Sequence, residues 1–301
     1  MERRPLGKTG MDVSVLGFGG AEIGYQRAEP DSVKILLNAA LDAGLNVIDT
    51  AECYTNGDRS SESLIGAAVA GRRDEFYLFT KAGHSAGFDL PDWDARLLEQ
   101  SIERSLTRLN TDHIDLLQLH SCSEVILRQG YVIETVQRVR ESGKIRFLGY
   151  SGDNSAARYA VECGAFDTLQ TSLSIADQSA IELLPMARER GMGVIAKRPI
   201  ANATFLYSTR PENSYIAPYW DRLQTLDYSF LSNPEEAASV ALRFTLGQEG
   251  VHTAIVGTTN PERWKRNARM LEIAGNLSET ENEYIRSRWK HAASADWVGL
   301  T

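Results

Sequence analysis

The sequence predicts an α/β fold: a closed parallel (β/α)8 barrel of the TIM type, with an N-terminal β-hairpin and a C-terminal helical tail. Three observations lead there. Short apolar strands alternate eight times with helices along the 301 residues. Several of these strands end abruptly in a polar side chain, as at Asp49, Lys81 and His120. The rival, an open doubly wound sheet, requires a Gly-x-Gly-x-x-Gly turn after an early strand and an acidic residue about 20 positions on. Gly17, Gly19 and Gly20 lack that spacing before Asp31.

The elements follow in order. Two short segments flank the turn-forming stretch Lys8-Thr9-Gly10-Met11, giving a hairpin that runs into a strand from Val13 to Phe18. Asp31 is placed to cap a helix carrying Val33, Leu36, Leu37, Ala40 and Leu41 on one face and ended by Gly44. A buried strand, Asn46 to Thr50, comes next, and Tyr54 lies in the Gly/Asn-rich loop after it. Helix Ser61 to Ala70 leads to the apolar run Glu75 to Lys81, and helix Pro91 to Leu109 to strand Ile114 to His120. Helix Tyr131 to Ser142 precedes strand Ile145 to Tyr150. Helix Asn154 to Cys163 precedes strand Phe166 to Gln170, and helix Ser179 to Arg190 precedes strand Gly193 to Ala196. Helix Pro234 to Leu246, strand Thr253 to Val256 and helix Pro261 to Ala274 complete the series. Outside it stand an aromatic-rich insertion, Ile200 to Asn233, expected as a lid or binding loop, and the tail from Ser278 to Thr301. No linker interrupts the count, so one domain over residues 1–301 is expected.

A composition of 43% hydrophobic and 24% charged residues suits a large buried core. The net charge of −8 argues against a broad footprint for nucleic acid or anionic lipid, so an anionic ligand must meet a local cluster. Cys53, Cys122 and Cys163 are too few for a disulfide framework, and no paired spacing suggests a metal site. With no apolar signal core and no run of about 18 apolar residues, a cytoplasmic protein without a membrane span is expected.

In a parallel barrel all strands open their carboxyl ends on one face, so Asp49, Lys81 and His120 converge there with Tyr54 from the adjoining loop. A phenol has a pKa near 10, and a neighbouring ammonium lowers it. Asp49 would hold Lys81 in place, and His120 would bond a carbonyl oxygen. Together these groups suit protonation of the alkoxide formed when hydride adds to an aldehyde or ketone.

The stretches Asn46 to Tyr54, Thr80-Lys81 and Asp112 to His120 resemble the aldo-keto reductases. So do Gly143 to Ser151 and Gly257 to Arg263. The resemblance covers most of the chain and matches all four positions of the family's catalytic tetrad, Asp49, Tyr54, Lys81 and His120. It implies an eight-stranded barrel and carbonyl reduction with a nicotinamide dinucleotide, NADP(H) preferred and NAD(H) possible, on a small carbonyl or sugar substrate. Two other roles in such a family stay open: a cofactor-holding channel subunit with little turnover, and a sugar or polyol dehydrogenase.

By the same resemblance Ser151 and Gln170 hold the nicotinamide carboxamide, with Gly152 where an Asn usually stands and Asn154 as its nearby substitute. Gly20 and Ala21 match the first-strand loop beside the cofactor, near Asp49. Gly257 stands where a Lys is frequent, and Thr258, Thr259, Arg263 and Asn267 match the adenosine and 2′-phosphate site, with Arg266 in place of a frequent Glu. Lys197 replaces an aromatic residue that stacks on the nicotinamide. Either its stem covers the ring while its ammonium, or Arg198, reaches the pyrophosphate, or it points into solvent. His113 and His252 are expected to be solvated and Cys122 to be inert, while for His84, in a rim loop, lining the pocket is the lesser of two readings.

Overall fold

Eight parallel strands close into a barrel. They are β1 (Leu16–Gly19), β2 (Val47–Asp49), β3 (Tyr77–Ala82) and β4 (Ile114–His120). The others are β5 (Ile145–Ser151), β6 (Thr168–Ser172), β7 (Gly193–Lys197) and β8 (Thr253–Gly257). The ring closes where β8 pairs with β1, Ala254 opposite Leu16 and Gly257 opposite Gly19. The computed structural model describes residues 1–300, apart from the side chains of residues 272–274.

Because strand side chains alternate between faces, each strand sends every second residue into the barrel. At the amino-terminal end these are apolar: Val47, Phe79, Leu116, Ile195 and Ile255 form one buried cluster with Leu6, Met11 and Val13. The last three come from the hairpin that pairs Arg3–Pro5 with Asp12–Ser14, so the hairpin plugs the bottom of the barrel. Each such side chain, fully buried, contributes about 1.5–3 kcal/mol relative to exposure. Two residues further along β2 and β3 the same inward face carries Asp49 and Lys81, which puts polar groups over an apolar floor.

The helices form the outer layer, and their local signals are plain in Ala95–Leu109. Asp94 caps its start by accepting from Arg96 N at 2.8 Å, and Asn110 ends it in the left-handed region at φ 52°. Leu97, Leu98, Ser101, Ile102, Ser105, Leu106 and Leu109, at helical spacing, are its buried face.

Several boundaries differ from the sequence expectation. The strand expected from Val13 to Phe18 is two elements, the hairpin strand ending at Ser14 and β1 beginning at Leu16. Asp31 lies in the first turn of helix Pro30–Asp42 rather than capping it, because Pro30 takes the first helical position and Glu29 precedes it. Helix 95–109 starts four residues later than expected, and β6 is displaced by two from 166–170. The segment expected as helix Ser179 to Arg190 is a 3-10 turn, Ser179–Leu183, followed by helix Leu184–Glu189. The loop after Tyr54 forms a small hairpin, Thr55–Asn56 against Arg59–Ser60.

The insertion is not an open loop. It contains helix Ala217–Leu226, whose Tyr219, Leu223 and Leu226 are buried with Tyr228 and with Ile285 of the C-terminal helix Glu279–Ala292. Insertion and tail thus share one apolar cluster, which fixes both against the barrel rim. Among the described residues no helix is long and apolar enough to cross a membrane.

Candidate active site

The carboxylate of Asp49 is the centre of the rim. Its Oδ2 accepts from Lys81 Nζ at 2.5 Å, and its Oδ1 accepts from Gln118 Nε2 at 3.0 Å and Gln170 Nε2 at 2.8 Å. Lys81 also donates to Thr50 O at 2.8 Å. The donors come from β3, β4 and β6, so the barrel itself sets their directions. Gly20 N donates to Asp49 O at 2.7 Å, which holds the first-strand loop, with Ala21, against the same point.

Tyr54 stands beside this pair. Lys81 Nζ is 5.0 Å from the centre of its ring, and His120 meets the ring edge-on with centroids 5.6 Å apart. The four expected catalytic side chains are therefore together. Burial, and then the Asp49 carboxylate, push the Tyr54 phenol well above its usual range. The expectation that the Lys81 ammonium would lower it is not met, because burial, and after it the Asp49 carboxylate, disfavours the phenolate. His120 is held well below the usual imidazole value by burial and then by the charges of Lys81, His84, Lys197 and Arg198. It is a neutral imidazole at neutral pH. His84 does face this pocket, its ring 5.2 Å from that of His120.

Ser151 Oγ donates to Gln170 Oε1 at 3.0 Å, so the two residues expected to hold a carboxamide are already a connected pair on adjacent strands. Lys197 lies neither free in solvent nor open to an anion: its Nζ is 3.1 Å from Asp153 Oδ2. Burial alone would raise Asp153, but Lys197, Ser172 N–H and Arg198 outweigh it and hold the carboxyl below its usual range. Arg198, in the left-handed region at φ 58°, donates to Ser172 Oγ at 2.9 Å, to Tyr215 Oη at 2.8 Å and to the carbonyl of Leu300. Asn154 is likewise engaged, exchanging two hydrogen bonds with the backbone of Gly299 at 2.9 and 2.8 Å. The tail therefore crosses the rim at the ends of β5 and β7.

At the end of β8, a side chain on Gly257 would collide with the carboxylate of Glu22, whose Oε2 lies 1.6 Å from the position a Cβ would take. Burial raises Glu22 above its usual range. Thr258 and Thr259 form the turn before helix Pro261–Ala274, with Thr258 Oγ1 accepting from Asn260 N at 3.0 Å. Arg263 is exposed on the first turn and has no partner among the described residues, and Asn267 lies one turn further on. Arg266 is 3.5 Å from Glu235, so the two arginines do not act as a free pair.

Gln118, Asp153, Glu22 and Tyr215 were not singled out by sequence. The first had a signal: it sits two residues before His120 on β4, hence on the same inward face. His252 corrects another expectation. Its Nδ1 accepts from Val194 N at 2.9 Å and it is partly buried, because it bridges the starts of β7 and β8 instead of facing water.

The sequence model described as Aldo/keto reductase family matches residues 15–290. An uncharacterized oxidoreductase of Bacillus subtilis is 27% identical over 96% of this chain and 97% of its own length. L-galactose dehydrogenase of Arabidopsis thaliana is 27% identical over 94% of this chain and 93% of its own. Among solved structures, the holo form of an aldo-keto reductase from Bacillus halodurans matches with a TM-score of 0.83 and 27% identity, covering 99% of both chains.

Proposed function

This chain belongs to the aldo/keto reductase family, and on that premise we propose that it reduces aldehyde or ketone groups of small molecules, with Tyr54 as the general acid. The observation that carries this reading is the geometry of the rim: Lys81 Nζ lies 2.5 Å from Asp49 Oδ2 and 5.0 Å from the centre of the Tyr54 ring, which His120 meets edge-on at 5.6 Å. A carbonyl oxygen seated between Tyr54 and His120 receives hydrogen bonds as negative charge develops on it. Tyr54 then gives its proton to the alkoxide, a far stronger base than a phenolate. Lys81 offsets the phenolate charge that remains.

The donor set fits a nicotinamide dinucleotide, which when bound supplies the hydride. Ser151 and Gln170 present a hydroxyl and an amide for its carboxamide, next to Asp49. Gly20 and Ala21 flank that position. Thr258, Thr259, Arg263 and Asn267 offer hydroxyls, a guanidinium and an amide around a helix N-terminus, a setting that favours phosphate. Arg263, whose guanidinium has no partner among the described residues, is the reason to expect NADP(H) ahead of NAD(H).

The test is a spectrophotometric screen of NADPH and NADH oxidation against aldehydes, ketones and sugars, with Tyr54→Phe as control. Loss of the acid should slow turnover by roughly 100-fold or more while cofactor affinity barely changes. Turnover by Tyr54→Phe close to that of the parent protein removes Tyr54 from the role.

A further inference from the structure

Cys53 immediately precedes Tyr54, and its sulfur lies 3.4 Å from Nδ1 of His120. Among the described residues no other side chain hydrogen-bonds to either of them. A neutral imidazole carries one proton, so whichever nitrogen accepts leaves the other as the donor. The contact has two polarities: the thiol donates to Nδ1, or Nδ1–H donates to sulfur. An unprotonated imidazole nitrogen is a good acceptor, whereas a thiol sulfur is a poor one, so the first arrangement is the stronger.

The surroundings keep both partners in the required form. Burial pushes the Cys53 thiol up to about 11, so the proton stays on sulfur. His120 is kept neutral by burial and by the nearby cations. The ring has little freedom to turn away, since Tyr54 and His84 both meet it edge to face, at 5.6 and 5.2 Å.

We propose that Cys53 is a positioning residue that donates its S–H to Nδ1 of His120 and thereby fixes the imidazole in the tautomer with hydrogen on Nε2. This rests on the reading of His120 as a donor to the carbonyl oxygen, and it identifies what makes it one. With Nδ1 occupied by the thiol, Nε2–H is the remaining polar edge of a ring that meets Tyr54 edge-on. Without the thiol the two tautomers compete, and the Nδ1–H form presents a lone pair to the substrate oxygen, which repels it.

The tautomer is read directly from nitrogen-15 chemical shifts of the imidazoles in the full-length protein at pH 7.5. The His120 signals are assigned by their loss in His120→Gln. The wild type should show a single His120 species protonated at Nε2. Cys53→Ala should show shifts averaged between tautomers, and Cys53→Ser, which restores a donor, should return them toward the wild-type values. In turnover, Cys53→Ala should lower kcat by roughly fivefold to tenfold with KM little changed, as expected for one modest hydrogen bond that acts in the transition state. A wild-type His120 protonated at Nδ1, or an Nε2–H tautomer undisturbed in Cys53→Ala, overturns the proposal. The first of these needs no variant and stands even where Cys53→Ala fails to fold. Absence of carbonyl turnover by the wild type is a separate result, which removes the reductase reading while leaving the tautomer measurement intact.

Discussion

Lys81 Nζ and Asp49 Oδ2 meet at 2.5 Å with side chains only 1% and 2% exposed. A buried pair of this kind is costly to break on one side, because the remaining charge is left uncompensated. Lys81→Met should destabilise the protein by about 3–5 kcal/mol. Lys81→Met combined with Asp49→Asn should cost less than the sum of the two single changes. Urea unfolding of the four proteins checks this, and additive losses mean that the two side chains are not coupled.

Stability should fall on mild acidification. His120 has a folded-state pKa below 6.5, so below about pH 6.5 the unfolded chain binds more protons at this site than the folded one. Its contribution is complete above that pH and is lost as pH falls, by up to ~1.4 kcal/mol per pH unit. His252 acts in the same sense. Glu22 and Glu62, whose values are raised, act oppositely as pH rises above 4.5, so the comparison is made against a variant at matched pH. His120→Asn should flatten the dependence between pH 6.5 and 5.5 in urea unfolding. Identical slopes would show that His120 takes up its proton equally well in both states.

Arg263→Ala should weaken NADPH binding by roughly tenfold or more, the loss of one charge-assisted hydrogen bond, and leave NADH nearly unchanged. Arg266→Ala should do much less, since Glu235 already faces that guanidinium. Calorimetric titration of both cofactors separates these outcomes, and equal losses for NADPH and NADH in Arg263→Ala mean that it does not read the phosphate.

Lys197→Met leaves the buried Asp153 carboxylate facing Arg198 at 3.9 Å as its remaining cation. Added negative potential near a nicotinamide favours its cationic oxidised form, so binding should shift toward NADP⁺ relative to NADPH by roughly twofold or more. An unchanged ratio of dissociation constants places this pair too far from the ring to act on it.

What could be read from the sequence was what local periodicity controls. The shared direction of the strands in a parallel barrel put the strand ends Asp49, Lys81 and His120 on one rim, and the caps and glycines marked most helix ends closely. The resemblance supplied the site positions on the β5, β6 and β8 ends. What stayed hidden depends on partners far along the chain. Phe166 reads as part of a strand until the pairing of Thr168 with Gly149 fixes where β6 begins. The phenol's environment was misjudged because its burial, which disfavours the phenolate, is set by the folded rim and not by the ammonium alone. Nothing local to Asn154 shows that it binds Gly299, and nothing local to Cys53 shows that it faces His120.

The two amides on Asp49 also set a timetable. Gln118 and Gln170 follow it by 69 and 121 residues, so at about 5–20 residues per second a growing chain makes Asp49 roughly 6–24 s before its last partner. For that interval the carboxylate is best served by water, and the strand that carries it gains nothing by being buried early. Closure is later still, since β8 must pair with β1 across the whole ring. The apolar floor and the charged rim therefore become a working site in one late step, and a nascent or truncated half-barrel leaves Val47 and Phe79 without Ile195 and Ile255 to complete their cluster. Chaperones that shield extended apolar segments should engage this chain before β6 emerges, and release it when β8 pairs with β1.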